Sequence, residues 1–474
     1  MRRPSLILPL LTLALFVSAG SASAAQCPEG LVCQDVTVPL DRTGEVPGTI
    51  DLPVVAEPGN GPLLLFLGGG PGQGMADQAT GVINYLGPLA PGRRLAVLDQ
   101  RGTGRVALRC PSIQFAALSD LTVPKPGSIE ACGRKLGQTR GLYTTTATVD
   151  DLDAVREALG AEKMAIWGVS YGTYVAERYA RAYPDQTSGL LLDSVVTQKN
   201  VEPFFTAGMK RSRVTLRQLC GMGVCRGLGD PVTSLSRLVR RSNNRWITGR
   251  VSPEPGKPRA KVRLNGAALY DMLVGLSSFD PPGFARFPKA VHQALKGSPA
   301  PLLRLALQTR QAGATSSYES LSWGAHTAAL CGDVNTWPWG GADAPLAGRK
   351  AKVLAAARRI PARKFLPFDR QTGMGNGALV TCQRWQQTAV EPPPEPGPLP
   401  AVPTLVVAGG WDLSTPLVEA RREARRSPTA KLFVIPRAGH SSAGIVQCSR
   451  PAIRRFFTGK PPGTPCTGHK PDLG

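Results

Sequence analysis

Gly168-Val169-Ser170-Tyr171-Gly172 is the stretch on which the reading of this chain turns. Before it, Met164-Ala165-Ile166-Trp167 is a short apolar run that predicts a buried strand. After it, residues 171–183 predict a helix. A serine on so sharp a strand-to-helix turn is lifted clear of the sheet with its hydroxyl exposed. Glycines on either side keep Cβ atoms out of the bend. In a chain with 53 glycines the G-x-S-x-G match alone means little; the flanking strand and helix give it weight. Ser170 is the candidate nucleophile.

Working outward, Leu63-Leu64-Leu65-Phe66-Leu67, Leu95-Ala96-Val97-Leu98 and Leu190-Leu191-Leu192 are continuous apolar runs, as expected of strands covered on both faces. Residues 36–40 and 50–55 predict two earlier strands, parted by turn residues around Gly44 and Pro47-Gly48. Thr148-x-x-Asp151 reads as a capping box for a helix carrying Val149, Leu152, Val155 and Leu159, closed by Gly160. Strand and helix alternate, which predicts an α/β fold with a mostly parallel sheet and helices on both faces. From residue 197 to 395 the pattern changes to amphipathic helical runs with no clear buried strand, which predicts an inserted, mainly helical cap. Residues 392–403, rich in proline, read as a stiff return linker. Residues 404–407 and 432–435 resume the sheet, and a last helix follows near 451–457. The expected organisation is a signal at 1–25, a first core part at 26–196, the cap at 197–395 and a second core part at 396–474.

Arg2-Arg3, the apolar run at 6–17 and Ala22-Ser23-Ala24 have the form of a secretory signal. An uncleaved anchor is the alternative, and the arginine pair raises a twin-arginine route that Pro4-Ser5-Leu6 matches weakly. All ten cysteines follow this segment, an even number that predicts disulfides in an exported chain. Nearest neighbours are the expected pairs: Cys27–Cys33, Cys110–Cys132, Cys220–Cys225, Cys331–Cys382 and Cys448–Cys466. No two C-x-x-C pairs occur and the four histidines are scattered, so neither a metal nor another cofactor is expected. The net charge of +23 rests mostly on arginines that do not interleave with aromatics. It predicts a solvated basic surface with no nucleic-acid partner, and adsorption to anionic envelope polymers is the variant. No later apolar stretch is long enough to cross a membrane, so no membrane association is expected after signal removal. The oligomeric state is open, with a monomer expected.

An acyl-transferring serine needs a base to take its proton and an acid to orient that base. His440, in Ala438-Gly439-His440 after the last strand, is the candidate base. His292 and His326 read as surface or cap packing, and His469 lies in a Pro/Gly-rich tail. Asp412, in Gly409-Gly410-Trp411-Asp412, falls at a strand's carboxyl end and precedes His440, as the chain order serine, acid, histidine requires. Asp193 is its competitor. Backbone donors for the oxyanion are expected from Tyr171, the residue after the nucleophile, and from Gly69 or Gly70. No G-K-[ST] follows those glycines, so a phosphate loop is disfavoured.

Gly69-Gly70-Pro71-Gly72, Asp99-Gln100-Arg101-Gly102-Thr103-Gly104, the Ser170 turn, Gly409-x-x-Asp412-x-x-x-Pro416 and Gly439-His440 together resemble the α/β-hydrolase exopeptidases. These are the prolyl aminopeptidases and, more closely, the secreted actinobacterial tripeptidyl aminopeptidases, to which Val38-Pro39-Leu40-Asp41 and the cysteines are also similar. The departures are Gly68, where such proteins often carry histidine, and Arg105-Val106, where a serine is common. The resemblance implies an α/β-hydrolase fold, cleavage of short peptides from a free N-terminus, and a cap carboxylate that binds the substrate ammonium. Asp333 is the first candidate for that carboxylate and Glu202 the second.

The expectation is therefore a secreted serine aminopeptidase. A secreted esterase, lipase or small-metabolite hydrolase would use the same triad, and a non-catalytic envelope-binding protein could share the scaffold. Epoxide and haloalkane chemistry is disfavoured, because it needs a carboxylate where Ser170 stands.

Overall fold

The apolar runs become strands because each is covered on both faces. The computed structural model describes residues 27–114, 121–313 and 317–474, so the expected signal lies outside the described residues. Its strands are β1 (Val32–Pro39), β2 (Thr49–Ala56), β3 (Leu63–Leu67), β4 (Arg94–Leu98), β5 (Met164–Val169), β6 (Thr187–Asp193), β7 (Ile247–Val251), β8 (Ala260–Leu264), β9 (Thr404–Gly409) and β10 (Ala430–Ile435). Eight of them form one sheet in the order β1-β2-β4-β3-β5-β6-β9-β10. Only β2 runs against its neighbours; every pairing from β4 to β10 is parallel.

Alternate residues of these strands fill two cores. Leu63, Leu65, Ile166, Leu190, Leu192 and Val406 pack beneath helices Thr145–Ala158, Tyr171–Ala182 and Leu417–Ala424. Leu64, Val97, Trp167, Leu191, Leu405 and Phe433 pack beneath helices Ala79–Leu86 and Arg450–Phe457. A third core lies in the inserted region, among helices that include Thr206–Leu219, Gly266–Phe279, Pro281–Leu295 and Trp323–Gly332. It also takes in Cys110, Ile113, Ile129 and Cys132 from before the elbow, and Trp411 and Leu413 from after the insertion.

The insertion is not purely helical. β7 and β8 form an antiparallel hairpin, Ile247 opposite Leu264. Its five-residue strands bury one face only, with Arg250, Lys261 and Arg263 turned outward, so they carry no continuous apolar run. The helix expected to start at a Thr148 capping box starts a turn earlier, where the Thr144 side chain accepts from Ala147 N–H. Asp151 is thereby released to meet Arg101: Nε and Nη2 donate to its two oxygens, each at 2.7 Å. Arg101 Nη1 also donates to the carbonyls of Leu40 and Leu142, so this buried ion pair ties the β4 loop to strand β1 and to the following helix.

The structure pairs Cys27–Cys33, Cys110–Cys132, Cys220–Cys225, Cys331–Cys382 and Cys448–Cys466. Among the described residues no helix is long and apolar enough to cross a membrane.

Arg101→Ala leaves the buried Asp151 carboxylate with Arg42 alone, whose Nη2 donates to Oδ1 at 2.8 Å. Unfolding stability should therefore fall by at most the roughly 3–5 kcal/mol typical of a broken buried pair. Denaturant unfolding should show that decrease; a change within error would mean the pair is dispensable.

Candidate active site

Sheet register brings the pieces together. Leu67 pairs with Gly168, Val169 with Asp193, Asp193 with Val407, and Gly409 with Ile435. The carboxyl ends of β3, β5, β6, β9 and β10 therefore open on one edge, where parallel sheets form their ligand sites.

Ser170 joins β5 to helix Tyr171–Ala182 with φ 54° and ψ −122°. A non-glycine residue held in that region stores strain and persists only where its surroundings over-determine it. The surroundings are tight. A Cβ on Gly168 would stand 2.4 Å from the Gly172 carbonyl oxygen, and one on Gly172 would stand 2.4 Å from that of Leu67. Ser170 N–H donates to the Asp193 carbonyl at 2.9 Å.

Asp412 is buried and met by four donors. Ser414 and Thr415 N–H donate to Oδ1, both at 2.9 Å. Thr415 Oγ1 donates to Oδ2 at 2.6 Å, and His440 Nδ1 lies 2.8 Å from the same oxygen. Burial pushes the Asp412 carboxyl up, but His440 and these hydrogen bonds outweigh it and hold the group below its ordinary value. Thr415 Oγ1 is also 3.3 Å from His440 Nδ1. Nδ1 of His440 is thus engaged by the Asp412 carboxylate and the Thr415 hydroxyl.

The glycine loop after β3 lies against the serine: a Cβ on Gly69 would be 3.0 Å from Ser170 Cβ and 3.5 Å from Oγ. Gly69 N–H donates to Gln73 Oε1 at 2.9 Å, so of the two expected loop donors Gly69 is already engaged. Gly70 adopts φ 105°. Tyr171 N–H belongs to the first turn of its helix, where no intrahelical acceptor exists. No side chain stands at Gly68; Met75 Sδ and Gln73 Oε1 lie 2.6 and 3.2 Å from where its Cβ would be. The loop is held from the sheet by Asp99, whose Oδ1 accepts from Met75 and Ala76 N–H. It is held from the insertion by His326, with Nδ1 2.9 Å from the Pro71 carbonyl, and by Ser322 N–H donating to the Gly72 carbonyl.

Asp333 and Glu202 both have partners within the chain. The Asp333 carboxylate, fully buried, accepts from Thr145 N–H at 3.0 Å, from Thr145 Oγ1, and from Tyr171 O–H at 3.3 Å. Burial pushes its carboxyl up against those hydrogen bonds. Glu202 accepts from Thr206 Oγ1 at 2.8 Å and Ala207 N–H at 3.0 Å, at the start of helix Thr206–Leu219.

Several supporting residues escaped the sequence reading. Thr415 had a local signal, since Asp-x-x-Thr in a loop invites side chain-to-backbone turns. Ser278, whose carbonyl accepts His440 N–H at 3.0 Å, and Gln73 and His326 had none, because their partners are remote in sequence or are backbone atoms. Phe279 is 65 % exposed, with its ring centroid 5.5 Å from that of His440.

A sequence profile of the alpha/beta hydrolase fold matches residues 62–208, which include Ser170. A second profile, of TAP-like protein, matches residues 370–466, which include Asp412 and His440. The chain is 25% identical over 422 residues to serine protease Hip1 of Mycobacterium tuberculosis, covering 82% of this chain and 78% of that protein. It is 29% identical over 206 residues to the tripeptidyl aminopeptidase of Streptomyces lividans, 38% of each chain. A probable proline iminopeptidase of Streptomyces coelicolor is 32% identical over 138 residues, 29% of this chain and 34% of that one. The chain has the α/β-hydrolase fold and is similar over most of its length to a serine peptidase.

Proposed function

We propose that this protein is a secreted serine aminopeptidase that releases short peptides or single residues from free N-termini through an acyl-enzyme. The observation that carries the reading is the 2.8 Å contact between His440 Nδ1 and Asp412 Oδ2, beside a strained serine turn packed against the glycine loop. Ser170 Oγ attacks the peptide carbonyl while His440 Nε2 takes its proton. Asp412, kept ionised by its four donors, stabilises the imidazolium. The oxyanion settles on the N–H groups of Tyr171 and Gly70; a donor of this kind is typically worth about 10²–10³ in rate. His440 then protonates the leaving amine, which departs past the exposed ring of Phe279, and water releases the acyl group.

The insertion at 197–395 acts on this reading as a roof that limits access to chain ends. Asp333 and Glu202 serve the frame rather than the substrate ammonium, since each is taken up by donors of the chain itself. Five disulfides fit an oxidising compartment outside the cytoplasm.

Two outcomes follow. A peptide library with free and blocked N-termini should be cleaved only where the terminus is free, with Ser170→Ala inactive; turnover of p-nitrophenyl esters with no action on free peptides would favour an esterase instead. Asp412→Asn keeps the shape of the site but loses the charge and the tautomer control. It should lower kcat by about 10³–10⁴, as removal of a triad carboxylate does elsewhere; loss of less than tenfold would place the orienting acid elsewhere.

A further inference from the structure

The site holds a second buried carboxylate that the triad does not use. Asp193 ends β6, next to the nucleophile strand, and is 2 % exposed. Its carbonyl accepts Ser170 N–H at 2.9 Å. Its Oδ2 accepts Ala443 N–H at 3.0 Å, and Ser194 Oγ donates to its Oδ1 at 3.2 Å. The same Ser194 Oγ accepts Ser441 N–H at 2.7 Å, while Ser194 N–H donates to the Val407 carbonyl at 3.0 Å. Two adjacent residues thus bind the nucleophile's backbone with one hand and the residues after His440 with the other.

Backbone strain concentrates at the same place. Six non-glycine residues among those described have positive φ, and three of them are Ser170 at 54°, Ser194 at 61° and Ser441 at 55°. Strained residues persist where neighbouring contacts over-determine them, and they gather at functional sites. Here each strained residue is joined to Asp193 or Ser194 by a hydrogen bond or by sequence.

We infer that Asp193 and Ser194 are positioning residues that clamp the His440 loop to the Ser170 turn, fixing the distance between base and nucleophile. The inference rests on the triad reading above. Asp412 holds the imidazole by its nitrogen; the clamp holds the backbone that carries the imidazole. The groups facing Asp193 are His440, Asp412 and Tyr85, the last donating its O–H to the Ala443 carbonyl with Arg450 nearby. Burial pushes the Asp193 carboxyl up to about 6, against the Ala443 N–H, the His440 imidazole and the Ser194 hydroxyl, and with Asp412 adding to the rise. Its charge also favours the imidazolium of His440. Losing that charge favours neutral imidazole, the form a general base requires, so the acid limb of kcat/KM moves to lower pH.

The test is the pH dependence of kcat and KM for Asp193→Ala, Asp193→Asn and Ser194→Ala on a naphthylamide peptide with a free N-terminus. Ser170→Ala and thermal unfolding of every variant are measured alongside. Asp193→Ala should lower kcat by about tenfold to a hundredfold, the penalty for a misplaced catalytic group. KM and unfolding temperature should hold. Ser194→Ala should lower kcat by about tenfold on the same ground. Asp193→Asn keeps an acceptor for Ala443 N–H and presents its amide to Ser194 Oγ. It should recover most of kcat while shifting the acid limb of kcat/KM to lower pH. The clamp is overturned if kcat and acid limb are unchanged in all three, or if kcat falls only in step with the folded fraction. Normal clamp variants beside a dead Ser170→Ala remove the clamp alone; an active Ser170→Ala removes the serine-hydrolase reading and the clamp with it.

Discussion

The close passage of the helix that follows β5 over the end of β3 is the constraint on which the rest depends. The backbone at Gly172 runs so near the Leu67 carbonyl that a single added carbon would stand 2.4 Å from it. That approach drives the chain through a positive φ at Ser170 and starts a helix at once, so the serine leaves the sheet while the first helical N–H groups point the same way. It also sets Gly69 against the serine side chain. Nucleophile and glycine loop are thus fixed by backbone packing, and the remaining side chains need only be brought to them.

They are brought by both the sheet and the insertion. The acid at Asp412 is flanked by Trp411 and Leu413, and both belong to the apolar core of the inserted region, with Trp411 edge-on to Phe284. The backbone at His440 hangs from the Ser278 carbonyl, at the end of helix Gly266–Phe279. Tyr171 reaches Asp333 and the glycine loop leans on His326, both from the same inserted region. On the proposed function, the inserted region is therefore part of the catalytic support as well as a cover. Changes in its packing should be felt in turnover as much as in selectivity, because a shift of about 1 Å in a catalytic group can cost two orders of magnitude.

Much of this was legible in the chain itself. The central sheet strands announced themselves because parallel strands covered on both faces need unbroken apolar runs, as Leu63–Leu67 shows, while β1 and β2 were marked by the turn residues between them. Ser170, Asp412 and His440 could be proposed from the sequence because their order and their places after strands are local facts, and the structure brings Asp412 and His440 into contact. The hairpin of β7 and β8 was hidden because one-sided strands of five residues alternate with Arg and Lys. The capping box at Thr148 was misread because Asp151 had a better partner in Arg101, fifty positions away, which no local pattern reveals. The supports at Ser278 and His326 were invisible for the same reason, and Gln73 because its partner is a backbone N–H, which no side-chain pattern marks. Asp333 and Glu202 could be picked out as carboxylates, but only three-dimensional contacts show that donors within the chain already take them up.

The central claim is that Ser170 is an activated nucleophile and that His440 activates it. Labelling with a fluorophosphonate, followed by mass-spectrometric mapping of the modified peptide, tests both halves together. The account predicts one label, on Ser170, formed rapidly in the unsubstituted protein and almost not at all in His440→Ala. No label on Ser170, or labelling at an equal rate without His440, would contradict it.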